Sequence, residues 1–486
     1  MSDVIDHWMK SLGNSADGLY ITQFPLPGSH DAVSYGTINE KSKTQEKSIK
    51  EQLMAGFRYF DLRVRVDNGV FFGHHGADEV RDNQYAPNIF NDIKEFSEAH
   101  PEEIIILNFY DATSVWNQSF IDTDKMNFVN HLYEILGDKL APTPQTYNPP
   151  TYGELKRKMK PIIAIITEEN GWGLDGNFDA TFCKTHCIWL ASAWLDQRFS
   201  NYARLAGRSY EDLYELTAKD QEESMLNGSH AVKQGVPQGL GFKQDTMSGR
   251  DPNKFWVSQT ILGYDNASTS DGHSANYWGA KNMNALWKPT FRRWFVGASW
   301  DGQTQRVDAR PHIGPNILLI DYSGVFDTLP QDCSDLLTHY VPIGMHKAET
   351  PDRYYYDTQF VNNYGYSTGE IAFYAHAYRK DGADPVYKQV YKGSDRYYYY
   401  LESYYHSDKQ NNLSYGPAQI AFYAFRENVK GTVPIYRQKA ENPERFYYGQ
   451  KELTTPEWSK PQVAFYAYAE SNYPDDPGAA LAGTPE

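Results

Sequence analysis

The stretch LPGSHDAVSYG, residues 26–36, ends a short apolar run with a histidine and an aspartate, His30 and Asp31. A Pro-Gly pair precedes them, so the backbone turns where the two polar side chains begin. Polar residues directly after a buried strand are typical of the catalytic edge of a parallel sheet. The stretch therefore predicts a strand that ends at a functional site, and similar runs follow along the chain.

Between about residues 20 and 330, short apolar runs alternate with polar, amphipathic stretches. Seven runs are predicted as strands: LYITQFPL (19–26), YFDLRVRV (59–66), EIIILNFY (103–110), PIIAIIT (161–167), CIWLASAW (187–194), FWVSQTIL (255–262) and NILLIDY (316–322). Helices are predicted over 44–56 and 88–101, where apolar residues recur with helical spacing. This alternation favours an α/β fold, a parallel sheet closed into a TIM-type (β/α) barrel. An open doubly wound sheet is the alternative, but no GxGxxG motif follows the first strand.

Beyond residue 340 the sequence becomes a threefold internal repeat. Segments 341–357, 384–402 and 433–450 share one aromatic pattern, and IAFYAHAY (371–378), IAFYAFRE (420–427) and VAFYAYAE (463–470) share another. Three copies are too few for a propeller, so a small all-β domain of the β-trefoil type is predicted. The predicted organisation is a barrel at 1–338, a repeat module at 339–472 and a flexible tail at 473–486.

Composition excludes several classes of protein. The formal net charge of −16 argues against a nucleic-acid partner, because a phosphate backbone requires clustered Lys and Arg. No run approaches the roughly 18 apolar residues of a membrane span, so a soluble protein is expected. The N-terminus lacks a secretory signal, which indicates a cytoplasmic protein or one secreted by a route without an N-terminal signal peptide.

Three cysteines are too few for a disulfide framework. The motif CKTHC (183–187) brings two thiols and a histidine together, but no second ligand pair accompanies it. Buried thiols or one local disulfide are therefore favoured over a zinc site.

Three of the predicted strands end in polar residues, and strand ends of a barrel converge on one site. They supply His30 and Asp31 from the first strand, Asp61, Arg63, His74 and His75 from the second strand and the segment after it, and Asp321 from the last. Two imidazoles suit acid–base catalysis near neutral pH, because one can begin neutral and the other protonated. An arginine between them supplies a fixed charge with forked donors that match phosphoryl oxygens. The set predicts phosphoryl transfer.

The motifs LPGSHDAVSYG, GFRYFDLRVRVDNGVFFGHHG (56–76) and NILLIDY resemble the catalytic core of bacterial phosphatidylinositol-specific phospholipase C, the X-domain barrel. The resemblance covers roughly residues 20–330. It implies a lyase-type phospholipase C that cleaves phosphatidylinositol to diacylglycerol and inositol 1,2-cyclic phosphate, and then forms inositol 1-phosphate. Membrane phosphatidylinositol is the implied partner, reached by peripheral contact.

The resemblance also implies a role for each catalytic residue. His30 would be the general base, supported by Asp321. His75, assisted by Asp31, would protonate the departing oxygen. Arg63 would stabilise the phosphoryl oxygens where metal-dependent relatives hold calcium, so no metal and no other cofactor are expected.

Some positions depart from the family or are less specific. Asn108 and Glu168 stand where the family has cationic residues, so the headgroup pocket is expected to differ. The predicted substrate-binding residues are Asn108, Glu168, Trp194, Asp196 and Tyr264, and the predicted membrane contacts are Trp116 and Trp172. His74 is expected to be structural, and Asp61 to fix Arg63.

The aromatic repeats suit sugar stacking, which makes cell-surface glycans a second expected partner; packing of the same rings in the module's core is the alternative. Two other functions stay open. One is a metal-dependent phosphodiesterase for glycerophosphodiesters or sphingomyelin. The other is a catalytically idle barrel within a carbohydrate-binding or toxin-targeting protein.

Overall fold

A computed structural model of the chain describes residues 5–13, 16–17, 19–40, 42–75, 78–114, 120–146, 148–168, 171–201, 209, 214, 253–261, 275–296, 316–338, 341–348, 353–357, 370–376, 382–391, 397–401, 419–441 and 444–469. The chain divides into two compact units, the first mainly from residues up to Asp335 and the second mainly from Leu336 onward. The exact domain limits stay predictions, and the predicted tail at 473–486 lies outside the described residues.

Within the described residues, the first unit is built on eight parallel strands. They are β1 (Leu26–Ser29), β2 (Tyr59–Asp67), β5 (Ile105–Ser114), β6 (Ile162–Ile166), β7 (Ile188–Leu190), β8 (Leu195–Asn201), β9 (Phe255–Ile261) and β10 (Ile317–Ile320), with antiparallel β3 (Val70–His75) and β4 (Asp78–Gln84) extending from β2. Their order is β7-β6-β5-β2-β1-β10-β9-β8, which places β1 between β2 and β10. The carboxyl ends of these strands therefore share one side.

Helices accompany the strands along the chain. Their bounds are Trp8–Ser11, Ile49–Met54, Phe90–Ala99, Asp122–Leu136, Tyr152–Lys158, Ala180–Thr185, Ala191–Trp194, Ala275–Val296 and Leu329–Thr338, with 3-10 turns at Ile5–His7 and Ile21–Gln23 and a π turn at Tyr85–Ile89. Local chemistry fixes some of their starts. Ser48 and Glu51 form a reciprocal capping box, as do Thr151 and Glu154. Among the described helices, none combines the length and the apolar character that crossing a membrane requires.

Strands β6 and β10 are continuous apolar runs, as is typical of parallel strands with both faces covered. All five residues of β6, Ile162–Ile166, are buried, and so are all four of β10. The sheet and its helices fit the predicted α/β TIM-type barrel.

Two strand predictions are wrong in detail. The run at 19–26 holds the 3-10 turn Ile21–Gln23, and the strand begins at Leu26. The run at 187–194 is β7 followed by the helix Ala191–Trp194, and β8 then forms a strand of its own. Alanine and serine at 191–193 cannot supply the side-chain packing of a strand, and Glu168 accepts the Ser192 N–H at the first turn of the helix.

The second unit is all-β, as predicted. Its strands are β11 (Val341–Ala348), β12 (Arg353–Asp357), β13 (Glu370–Ala375), β14 (Ala383–Val390), β15 (Tyr397–Leu401), β16 (Gln419–Phe425), β17 (Thr432–Glu441), β18 (Glu444–Gly449) and β19 (Gln462–Tyr468). In each repeat the first strand pairs antiparallel with the second and the third, and β13 and β16 each pair with β19. The β-trefoil stays a prediction.

A ring of three tyrosines lies in the core of this unit, one from each repeat. The Tyr399 hydroxyl accepts a hydrogen bond from the Tyr356 N–H at 2.9 Å and donates to the Tyr356 carbonyl at 2.5 Å. Tyr448 bonds Tyr399 in the same way, and the Tyr356 hydroxyl accepts the Tyr448 N–H at 2.8 Å. The three side chains are at most 2% exposed. Aromatic repetition in this sequence therefore builds a core, and Tyr398–Tyr400 are buried rather than presented to a sugar.

Candidate active site

Three neighbouring strands bring the predicted catalytic residues together. Ser29 at the end of β1 is paired with Ile320 of β10 and with Phe60 of β2. His30 and Asp31 follow β1 directly, Asp321 follows β10, and Arg63 lies within β2. His75 ends β3, which folds back on β2.

His30 lies between two carboxylates. Its Nδ1 is 2.7 Å from Asp321 Oδ1, and its Nε2 is 3.3 Å from Asp31 Oδ2. Burial alone lowers the pKa of His30, but the Asp31 and Asp321 charges outweigh burial and raise this pKa to about 9. The imidazole is therefore protonated at neutral pH in the free protein.

Asp31 is the centre of the site. One carboxylate oxygen pairs with Nε of Arg63, and the other lies 3.2 Å from Nε2 of His75 and 3.3 Å from Nε2 of His30. Burial acts to raise the pKa of Asp31, but Arg63, His30 and His75 outweigh it and lower this pKa to about 2. Asp31 is thus a buried anion held by three cationic or protonatable groups.

The orientation of His75 is fixed by a backbone carbonyl. Its Nδ1 donates to the Ser42 oxygen at 2.6 Å, which leaves Nε2 directed at Asp31. The His30 and His75 ring centroids are 6.5 Å apart and the rings are nearly perpendicular. A phosphoryl group beside Asp31 and Arg63 would therefore meet one imidazole on each side.

Asp61 supports the turn that carries Asp31. Its Oδ2 accepts the Asp31 N–H at 3.4 Å, and its carbonyl accepts the Ala32 N–H at 2.8 Å. Burial and the Asp31 charge raise the pKa of Asp61 to about 6. The ion pair of Arg63 is with Asp31, and Asp61 lies close enough for its charge to attract the same guanidinium. The expectation that Asp61 fixes the arginine stays a prediction.

Buried side-chain amides hold the backbone of the candidate active site, and sequence analysis did not identify them. Gln45 Nε2 donates to the His30 carbonyl at 2.7 Å, while Gln45 Oε1 accepts the Ser323 N–H at 2.9 Å. Asn284 Nδ2 donates to the Asp321 carbonyl at 2.9 Å. These residues belong to no motif, and only their place in the fold reveals them.

The remaining polar predictions lie around this centre. His74 is buried and its Nε2 is 3.9 Å from Asp111 Oδ2. Asn108 is buried, and its Oδ1 accepts the Thr167 hydroxyl at 3.2 Å. Glu168 accepts both the N–H and the hydroxyl of Ser192. In this structure Glu168 is engaged at a helix start, and its predicted substrate contact stays a prediction.

The aromatic predictions have different outcomes. Trp172 is fully buried among Phe109, Phe120, Phe128 and Phe178, so its predicted membrane contact is wrong. Its loop folds the indole inward because this aromatic cluster removes more apolar surface from water than an exposed ring would.

Of the other predicted binding side chains, one is buried and three lie outside the part of the chain that the structure describes. Trp194 is buried, with its ring centroid 5.1 Å from that of Trp189. Trp116, Tyr264 and the Asp196 side chain lie outside the described part of the chain.

One candidate set of metal ligands lies among these residues of the described chain. His30, Asp31 and Asp61 each place a ligand atom within 4.8 Å of the others. The Arg63 guanidinium, paired with Asp31, opposes a divalent cation there by its fixed charge. CKTHC is not among the ligand clusters of the described residues, and all three cysteines are free thiols. The alternative of a local disulfide is wrong, and Cys183 and Cys333 are buried as expected.

Comparison with known proteins gives relatives of one kind, although no family model matches the chain. The chain is 29% identical over 135 residues to a 1-phosphatidylinositol phosphodiesterase of Staphylococcus aureus strain Newman, which covers 26% of this chain and 41% of that protein. It is 29% identical over 167 residues to human PI-PLC X domain-containing protein 2, which covers 28% of this chain and 51% of that protein. Over about a quarter of its length, the chain is similar to phosphatidylinositol-specific phospholipase C X-domain proteins.

The relationship concerns part of each protein, since the chain spans about half the length or less of these curated relatives. Among solved structures, a pentafluoro-Phe-containing phosphatidylinositol-specific phospholipase C from Staphylococcus aureus matches with a TM-score of 0.45 and 18% identity, covering 69% of this chain and 98% of that chain. The enzyme from Listeria monocytogenes matches with a TM-score of 0.43 and 17% identity, covering 68% and 98%.

Proposed function

We propose that this chain is a phospholipase C that cleaves phosphatidylinositol to diacylglycerol and inositol 1,2-cyclic phosphate, and then forms inositol 1-phosphate. One observation carries the proposal: His30, His75 and Arg63 all contact the single buried carboxylate of Asp31. Two imidazoles and a guanidinium around one small volume suit acid–base catalysis on an anionic phosphodiester.

In the first step His30 removes the proton of the inositol 2-hydroxyl, and that oxygen attacks phosphorus. The bond from phosphorus to the glycerol oxygen breaks, and His75 supplies the proton to this departing oxygen. In the second step water attacks the cyclic phosphate, and the two histidines exchange roles. Asp321 supports the charged form of His30, which is consistent with their 2.7 Å contact.

We further propose that this chemistry uses Arg63 instead of a divalent ion. Its guanidinium is fixed beside the site by Asp31 and can donate two hydrogen bonds to phosphoryl oxygens. A cation at the same place would face a permanent positive charge. This argument disfavours the alternative of a metal-dependent phosphodiesterase acting on glycerophosphodiesters or sphingomyelin.

The test is phosphorus NMR of phosphatidylinositol micelles incubated with the protein and excess chelator. A transient five-membered cyclic phosphate followed by inositol 1-phosphate is expected. His30→Ala and His75→Ala should each lower kcat by at least ~10²-fold, the usual contribution of an acid or base. Activity lost on chelation would contradict the role of Arg63. No turnover of any phosphodiester would favour the catalytically idle alternative.

For membrane contact we propose Ile38 in place of the buried Trp172. Ile38 is 99% exposed in the β1 loop (residues 30–40 and 42–48), whose Ser42 carbonyl holds His75. An isolated exposed isoleucine at the catalytic side suits insertion among lipid headgroups.

For the repeat unit we propose glycan binding by a β-trefoil-like module. A cleft of about 620 Å³ lies beside Arg437, Lys439, Phe446 and Trp458. Phe446 and Trp458 are buried core residues, so the donors of Arg437 and Lys439, rather than exposed ring faces, would hold a sugar here. Full-length protein should bind defined glycans on an array, and Arg437→Ala should weaken that binding. An array on which both proteins bind nothing would remove the proposal.

A further inference from the structure

We propose that Asp6, His7 and His100 form a binding site for a divalent transition-metal ion such as Zn²⁺. Each residue offers one ligand atom, and these atoms all lie within 4.8 Å of one another. Two imidazoles and a carboxylate are a donor set that Zn²⁺ uses, with water completing the coordination. The three side chains are half-buried.

The site lies on the side of the barrel away from the candidate active site. His100 directly follows the helix Phe90–Ala99 and precedes β5, so it lies near the amino ends of the strands. The catalytic candidates lie on or after strands towards their carboxyl ends. At the amino side of a barrel, a bound ion affects stability rather than chemistry.

The ligands are held in place by buried neighbours. Trp8 Nε1 donates to the Gly56 carbonyl at 2.9 Å, which anchors the segment just after His7. Arg58 Nη2 donates to the Asp6 carbonyl at 2.6 Å, and the same guanidinium pairs with buried Glu103. Lys10 N–H bonds that glutamate as well. These contacts hold the N-terminal segment in place without the ion, so binding of the ion would cost little conformational entropy.

The surroundings leave room for an ion and its water. A cleft of about 340 Å³ is lined by the three ligands together with Lys10, Glu102 and Glu103. The His7 and His100 rings are almost parallel, with centroids 6.3 Å apart. His7 Nδ1 lies 2.5 Å from Asp6 Oδ1, so these two ligand atoms share a proton that a metal ion would displace, and they would separate to roughly 3.3 Å to bind it. The ion would link the N-terminal segment to the end of the helix Phe90–Ala99.

The experiment is calorimetric titration of chelator-treated full-length protein with Zn²⁺, paired with thermal unfolding and with Co²⁺ absorption as a spectroscopic signature. One ion per chain is expected, with a rise in Tm. His100→Gln and His7→Gln should each weaken binding at least ~10-fold, because one of three ligands is lost. Circular dichroism establishes that each variant is folded, and Asp6→Asn provides a third variant should one of them fail.

Two control variants locate the ion. His186→Gln alters the histidine of CKTHC, and His30→Ala alters the cluster at the candidate active site; both should bind Zn²⁺ as the unsubstituted protein does. Binding that is lost in either control, or that survives in all three ligand variants, would overturn the proposal. Binding that saturates only at millimolar Zn²⁺ would also overturn it, since that indicates adventitious ions only. None of these readouts depends on turnover, so the proposed phospholipase activity is tested separately.

Discussion

Asp31 has a left-handed backbone, with φ of +42°, directly after the buried strand β1. Aspartate and asparagine tolerate this region better than most residues, because their short side chains bond locally. The conformation turns the carboxylate towards Arg63 and both histidines while its N–H bonds Asp61. Asp31 therefore supplies both the negative charge at the centre of the site and the left-handed turn of its backbone.

The raised pKa of His30 predicts a pH dependence. A general base works only when neutral, and with a pKa of about 9 the neutral fraction grows with pH until roughly that value. We expect kcat/KM to rise up to about pH 9. Asp31→Asn keeps the backbone conformation but removes a negative charge that raises the pKa of His30. The ascending limb of the profile of kcat/KM against pH should therefore move to lower pH, and kcat should fall by about 10²-fold.

The matched control is Asp111→Asn, a half-buried carboxylate beside Arg63 that does not contact His30. The ascending limb of its pH profile should lie at the same pH as in the unsubstituted protein. A limb near pH 6.5 in the unsubstituted protein would mean that His30 is not the base that titrates.

Asp61 predicts a second pH effect, on stability. The pKa of this carboxyl is about 6 in the folded protein and about 3.8 ordinarily, so ionisation destabilises the fold. The free energy of unfolding should therefore decrease as pH rises from about 3.8 to about 6, and stay lower above pH 6. Asp61→Asn retains an oxygen that accepts the Asp31 N–H. We expect the free energy of unfolding at pH 7 to increase by about 1–3 kcal/mol, from a shift of roughly two pKa units.

Chemical denaturation at two pH values checks this. At pH 4 the unsubstituted carboxyl is largely protonated when folded, so the difference between the two proteins should shrink. An equal difference at both pH values would show that the charge of Asp61 carries no cost.

At the scale of elements, the β1 loop would join the proposed lipid contact to the candidate active site. Ile38→Ser should reduce turnover of phosphatidylinositol in vesicles about tenfold, by loss of the transfer free energy of one isoleucine, and leave a short-chain soluble substrate unaffected. The control is Met54→Ser. Met54 is 43% exposed and ends the helix that returns to the amino side of the barrel. Equal losses in both variants, or a loss on the soluble substrate, would contradict an interfacial role for Ile38.

Sequence patterns predict the strands that are buried on both faces, since β6 and β10 are continuous apolar runs. They fail at 187–194, where one apolar run holds a strand end and a helical turn, because aliphatic character does not separate the two. The order of His30, Arg63, His75 and Asp321 along the chain predicts that they meet. It cannot predict that Asp31 contacts three of them, or that Gln45 and Asn284 hold their backbone, since those contacts depend on loop geometry.

At the scale of the whole molecule, the two units use different physical devices. The first unit places polar side chains where parallel strands end. The second unit is built from three sequence repeats that share one aromatic core. In the second unit, Phe373, Phe422 and Phe465 contact one another pairwise with centroids 5.6 to 5.7 Å apart. The tyrosine ring adds hydrogen bonds to this packing, so each repeat is bonded to both others.

The ring predicts how this unit responds to loss of one hydroxyl. Tyr399→Phe preserves the aromatic contacts but leaves the buried N–H and carbonyl of Tyr356 without the hydroxyl that bonds them. The cost should be about 1–3 kcal/mol, that of a buried hydrogen-bonding group left without its partner. Amide hydrogen exchange in the full-length protein should accelerate in β12, β15 and β18 together, because the ring connects these three strands.

The control for this substitution is Tyr391→Phe, whose side chain is half-buried and outside the ring. It should leave exchange in those strands nearly unchanged. Acceleration confined to β15 would mean that the hydroxyls stabilise each repeat separately. Exchange that quickens in all three strands would instead make the repeats one cooperative unit, as expected when three imperfect copies of a sequence share a single core.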